Sequence, residues 1–380
     1  MLAVGTLSTA RRKLAGSWMC IGAYMLVALA CTERLSTSKQ RYTELRVDSV
    51  FARLANPDGG YAHLGAVEHV NSDLLLYVDG ARLVRLDSTG RKVAEAARRG
   101  KGPGEWQYAI WAGPDQSGAG VVDVASFRFL RLSPTLAPVE DLRIPELVRG
   151  GAVVGRLWDG SLISLLDPPT IPGIGAQVNK TAVLHWIPGS MLVDTVATLS
   201  GTEVYIDPAE HMIVRVPGGR VDWAAVRDSV VVAGNGGDDT VLVKAGRRAA
   251  RWVQLVGLPT QSRLSAARVK TFVDEQVSAV PDVDERRSMQ RTYAKLSRPK
   301  LSPRFERLVV DAKGRIWCAV GGEADHRVWL AFTLSGALVD SIRLPVRTRP
   351  WLIDDNQIVA SEVDEDGLHH LARYVWPHRP

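Results

Sequence analysis

Gly314–Gly321 reads GRIWCAVG: a turn glycine, then a strand-length and mostly apolar run. Runs of this kind recur along the chain. Asp73–Asp79 (DLLLYVD), Ala119–Ala125 (AGVVDVA), Gly160–Asp167 (GSLISLLD) and Asp228–Asn235 (DSVVVAGN) precede it, and Asn356–Asp364 (NQIVASEVD) follows. Each opens at a turn residue or a small one. Several are near-continuously apolar, as a strand buried on both faces should be.

A second unit follows most of these runs: strand, Gly- or Pro-containing turn, strand. Leu83–Val93, Phe129–Val139, Val183–Asp194, Val241–Trp252 and Val328–Asp340 all have this form. Ahead of each run lies another short strand candidate, such as Arg307–Asp311 (RLVVD). Each unit therefore holds about four antiparallel strands in roughly 40–55 residues. Units of this kind, repeated radially, predict an all-β fold, a six-bladed β-propeller with four-stranded antiparallel blades. The last unit stops at Trp376, one strand short. Leu45–Leu54 (LRVDSVFARL) has no blade of its own, so it is predicted to complete the last blade and close the ring. A two-sheet sandwich with a second domain uses the same strands but does not explain their recurrence.

Residues 262–296 break the strand rhythm. Val269, Phe272, Val273, Gln276, Val277 and Val280 recur at helical spacing. Ser262 or Ser265 can cap that helix, Pro281 stops it, and Asp282 can cap a second. In the second helix Met289, Tyr293 and Leu296 share a face. The segment reads as a helical insertion packed on the outside or rim, or as a lid over the central channel.

The composition of the 380 residues, 46% hydrophobic and 23% charged, is that of a globular protein. Three cysteines permit no disulfide framework. Residues 1–30 read as a signal peptide: Arg11, Arg12 and Lys13, then the apolar run from Trp18 to Ala30, too short to span a bilayer. Ala28-Leu29-Ala30-Cys31 resembles a bacterial lipobox, which makes Cys31 the lipidation site and residues 31–42 a polar tether. Residues 43–380 are then the propeller domain. Removing the signal takes away three basic and no acidic residues, so the net charge falls from +6 to +3. Nucleic-acid binding is thereby excluded as a reading of the basic pI.

Two stretches resemble a known group. Arg98-Arg99-Gly100-Lys101-Gly102-Pro103-Gly104-Glu105-Trp106 resembles the G-x-G-P-G-E-aromatic signature of bacterial secreted six-bladed β-propeller proteins, many of them lipoproteins, with NHL-like or TolB-like blades. Tyr293–Leu296, Pro303, Phe305 and Leu308–Trp317 resemble a second stretch of those proteins, which includes a D-x-x-G-x-I-W blade core. The resemblance covers residues 43–377 and implies the fold and an extracytoplasmic location, but no activity. Read physically, Pro103 fixes one φ and its glycine neighbours are free to take φ > 0. Glu105 can accept N–H bonds from such a turn, and Trp106 can wedge between blades. The order of a P-loop is absent.

No H-E-x-x-H, C-x-x-C or G-x-S-x-G spacing occurs, and no catalytic residue is assigned. Six-bladed lactonases and the streptogramin-type lyase hold a divalent metal with acids, Asn or His at the axis. That resemblance makes Glu68, His69, Asp222, Asp311 and Asp354 the axis candidates. The expectation is an exported, lipid-anchored binding or scaffold module for a protein, glycan or small ligand. It is monomeric, lies on the periplasmic side of the cell envelope and needs no cofactor. The alternative is a metal-dependent hydrolase or lyase with one divalent cation such as calcium at the axis. An axis lined by apolar and Arg side chains counts against that alternative.

Overall fold

A computed structural model describes residues 43–376, apart from residues 45, 51–60, 80–81, 98, 116–117, 168–172, 279, 281, 297–300 and 322–325. The signal segment, the tether and Cys31 lie outside the described residues. The described chain forms a series of antiparallel meanders, most of them four-stranded, in a propeller-like architecture. The innermost strand opens each sheet: β1 (Leu64–Val70), β2 (Ala109–Asp115), β3 (Ala152–Arg156), β4 (Trp223–Arg227), β5 (Arg307–Val310) and β6 (Thr348–Ile353). They touch in cyclic order, with β6 against β1.

The apolar runs become the second strands. Gly118–Asp123 and Ile316–Val320 are buried along their whole length, because neighbouring sheets cover both faces. The core is accordingly divided among the sheet-to-sheet contacts. Val232 and Val241 of the fourth sheet pack on Ile316 and Phe332 of the fifth. Trp317 and Trp329 of the fifth pack on Ile358 and Tyr374 of the sixth. Leu352 and Val359 of the sixth pack on Leu76 and Val84 of the first.

The strand predicted over Leu45–Leu54 lies at Arg46–Val50. It pairs antiparallel with the last strand, Ser49 opposite Arg373 and Val50 opposite Ala372. Thr43–Glu44 adds a short parallel pairing to Ile342 and Arg343 that the repeat pattern did not suggest. The third sheet also departs from the pattern. Its outer strands, Gly175–Trp186 and Val193–Asp207, run far past the predicted hairpin over Val183–Asp194, and Met212–Arg215 adds a fifth strand.

That extension is what the helical segment covers. Helix α1 (Ala266–Ser278) has Ser265 Oγ on the Arg268 N–H at 3.2 Å, and α2 (Val283–Lys295) has Asp282 Oδ1 on the Glu285 N–H at 2.8 Å. Their shared apolar face, Phe272, Val277, Met289 and Tyr293, packs on Val214, Met212 and Tyr205 of the third sheet. Lys295–Asp207 (2.6 Å) and Arg291–Glu210 (2.7 Å) tie α2 down.

Deleting residues 43–50 uncovers the backbone edge of His369–Val375, and a bare edge is a template for pairing with another chain. The expected outcome is a fall in Tm of about 5–10 °C, with concentration-dependent association in size-exclusion chromatography. An unchanged Tm would show that the closing strand contributes nothing.

Candidate functional site

The inner strands surround a central channel with a cavity of about 750 Å³. Successive inner-strand side chains point alternately to the preceding and the following sheet, as Leu308 and Val309 do, so consecutive residues of each strand border it. Its two ends differ in chemistry.

Arg307 opens β5 and Arg349 is the second residue of β6, so two guanidinium groups face the cavity from adjacent inner strands. Each lies over a tryptophan: Arg349 is 3.7 Å from the Trp351 ring centroid and Arg307 is 5.9 Å from that of Trp223. Trp351 is itself fixed by its Nε1–H donating to Ser361 Oγ at 3.0 Å. Desolvation by the channel walls, and then the like charge of Arg307, lower the Arg349 pKa, and the group stays protonated at neutral pH. Neither arginine was singled out as a functional residue from the sequence. The signal was present, an Arg at the start of two successive inner strands, but it blended into an Arg-rich composition.

The other end is a closed polar network. His69 Nε2 lies 2.8 Å from Asp354 Oδ2, and Arg227 Nη2 donates to Asp354 Oδ1 at 2.6 Å. Residues from β1, β4 and the end of β6 thus meet at one carboxylate. Burial alone would raise the Asp354 pKa, but the His69 hydrogen bond and the Arg227 charge hold it below the usual value. Glu68, beside them, is pushed up to about 7 by burial, which the Arg227 and His69 charges only partly offset. On β2 and β3, Arg156 and Asp115 pair at 2.9 Å.

The axis candidates therefore separate. Glu68, His69 and Asp222 line the channel, and Asp354 joins them through His69. Asp222 is buried, with Oδ2 bonded by Thr181 and Thr202, and burial raises its pKa. Asp311 does not line the channel. Its carboxylate holds the turn after β5, accepting from the Lys313 and Arg315 N–H groups, Arg315 Nε and Trp317 Nε1 at 2.6–2.9 Å. A strand-end acid read from sequence as axial is here a turn clamp. Among the described residues, no group of three His, Cys, Asp or Glu side chains is placed to hold a metal ion.

The signature loop sits between the first two sheets. Glu105 Oε2 accepts the Gly102 N–H at 2.8 Å, and Trp106 is fully buried among Leu75 and Leu83 on one side and Ala119 and Leu130 on the other. Gly104 has φ +72°, and a Cβ there would lie 2.1 Å from Pro138 Cγ. Arg128 Nη2 donates to the Glu105 carbonyl at 2.8 Å, anchoring the loop to the second sheet.

No family model and no curated protein matches the chain. Solved structures do. A member of the DUF4221 family from Bacteroides vulgatus is similar at TM-score 0.52 and 8% identity, over 88% of this chain and 97% of that one. An exported-protein candidate from Bacteroides fragilis has TM-score 0.49 and 12% identity, over 88% and 96%. At such identities the likeness is one of fold alone. Among the described residues, no helix is long and apolar enough to cross a membrane.

Two outcomes follow from this geometry. Gly104→Ala combines a left-handed φ with a clash against the Pro138 ring and should destabilise by about 1–3 kcal/mol in denaturant unfolding; a neutral result would remove the structural role of the loop. Glu68 titrates higher folded than unfolded, so its contribution to stability is complete below about pH 4.5 and is lost as pH rises through about 7. Glu68→Gln should match the wild type near pH 5 and exceed it at pH 8 by on the order of 1–3 kcal/mol. Parallel stability–pH curves for the two proteins would refute this.

Proposed function

We propose that this protein is an exported six-bladed β-propeller acting as a binding module, with the central channel as its ligand site. The observation that carries this reading is the character of the channel, where arginine and tryptophan from separate inner strands face one small-molecule-sized cavity. The closed circuit of sheet-to-sheet packing supports the blade count. Residues 1–30 act as the signal peptide, residues 31–42 as the tether, and lipid on Cys31 holds the domain at the cell envelope; the N-terminal pattern supports all three. The domain works as a monomer.

A thermal-shift screen of small ligands tests the site. Hits on the wild type should vanish in Ala152→Trp, which adds an indole at an exposed channel-lining position outside the core, while the Tm of the free variant stays within a few degrees. Hits that persist in the variant place binding elsewhere and overturn the reading. Lipidation is tested separately: fatty-acid labelling must disappear in Cys31→Ser.

A further inference from the structure

We infer that a second cleft, between the outer strands of the third and fourth sheets, is a binding site for a neutral saccharide, with the Trp252 indole as the platform for one pyranose ring. The inference goes beyond the channel reading and does not depend on it. The cleft has a volume of about 510 Å³, more than one pyranose ring fills. Its walls come from Gly175–Trp186 and Val193–Asp207 of the third sheet, and from Thr240–Ala245, Arg251–Gln254 and the connection over residues 235–239 of the fourth. Trp252 carries the argument. Trp106, Trp186, Trp317 and Trp329 are fully buried, whereas Trp252 lines this cleft with 54% of its surface exposed. Its Nε1–H makes no hydrogen bond among the described residues.

Around that ring stand polar groups with hydrogen-bonding capacity to spare. Asn235 is buried, its Nδ2 donates to Ser200 Oγ across the gap between the two sheets, and its Oδ1 accepts the Gly237 N–H at 2.9 Å. Having accepted the Asn235 bond, the Ser200 hydroxyl keeps its own proton to donate. Asp238 Oδ1 holds its turn, accepting the Thr240 N–H at 2.9 Å and the Thr240 hydroxyl at 2.6 Å, while Oδ2 has no partner among the described residues. Lys180 Nζ also lines the cleft and has no ion pair among the described residues. One cation and one anion therefore border the site, which favours neither sign of charge. A pyranose presents two matching surfaces. Its C–H face is drawn to the negative face of an indole, and its hydroxyl rim both donates and accepts. A purely apolar ligand would desolvate Lys180 and Asp238 without compensation. The Asn235–Ser200 bond ties the two walls together, so the cleft is formed before a ligand arrives and little ordering is left to oppose binding.

The test is calorimetric titration of the intact protein with cellotriose, maltotriose and chitotriose, alongside sorbitol, which has hydroxyls but no ring face. Saturable binding of at least one trisaccharide, with none of sorbitol, is the expected result. Trp252→Ala should weaken it about tenfold or more, about 1.4 kcal/mol, and Trp252→Phe, which keeps a ring, should fall between that variant and the wild type. Asp238→Asn retains the oxygen that holds Thr240 but replaces the free acceptor, and should weaken binding severalfold. Both positions are exposed, so the Tm of each variant should stay within a few degrees. Ala152→Trp, in the channel, should leave saccharide affinity unchanged. Binding of none of the three trisaccharides overturns the inference, and so does an affinity that Trp252→Ala leaves intact. If Ala152→Trp abolishes a saccharide signal that Trp252→Ala spares, the sugar sits in the channel, so the cleft falls and the channel reading stands. Screening for channel ligands in the Trp252→Ala background removes cleft binders, so each reading fails on its own evidence.

Discussion

Face-to-face burial of one sheet against the next is the constraint on which the rest of this molecule depends. A meander of four short strands cannot shield both of its own faces. Each second strand, such as Leu162–Leu166 or Ile316–Val320, carries apolar side chains to both sides and needs a neighbour on each. Burying each large side chain there contributes about 1.5–3 kcal/mol. Fully buried tryptophans sit in these interfaces: Trp186 between the second and third sheets, Trp317 and Trp329 between the fifth and sixth. Only a cyclic arrangement satisfies every face, and the packing of Leu352 and Val359 on Leu76 and Val84 completes the circuit.

The same circuit creates the channel and divides its chemistry. Inner strands cannot converge on an axis without bringing polar ends together, and charge must then be neutralised or held in place. At the strand ends it is neutralised: Asp354 gathers His69 and Arg227 from residues far apart in sequence. The adjacent Glu68 meets the same burial with less help, which is why its proton is held to a higher pH. At the strand starts, Arg307 and Arg349 rest on tryptophan faces, and stacking on a ring positions each guanidinium. The helical insertion is a separate solution to a local problem. The third sheet outgrows its neighbours, and α1 and α2 cover the apolar face of the extension.

Local chemistry was legible from the amino-acid order. Period-2 alternation, turn glycines and near-continuous apolar runs predicted the repeated meanders and the strand from the N-terminal side that completes the last sheet; three-to-four spacing predicted both helices, with Asp282 capping the second and Ser262 or Ser265 the first, of which the structure uses Ser265. Each depends on residues within a few positions of one another. The long hairpin from Gly175 to Asp207 was not legible, because strands that extend beyond a sheet's core alternate weakly and read as loop. Asp311 was assigned to the axis when its four donors, all within six residues along the chain, make it the clamp of a turn. Arg349 and Arg307, in contrast, are ordinary arginines in one dimension. The stacking of the sheets decides which inner strands are neighbours and which of their side chains border the axis. The sequence by itself therefore determined the strands, the turns and their repetition. The tertiary structure alone decided which charges meet at the centre, because charges this distant along the chain become neighbours only when the sheets close on one another.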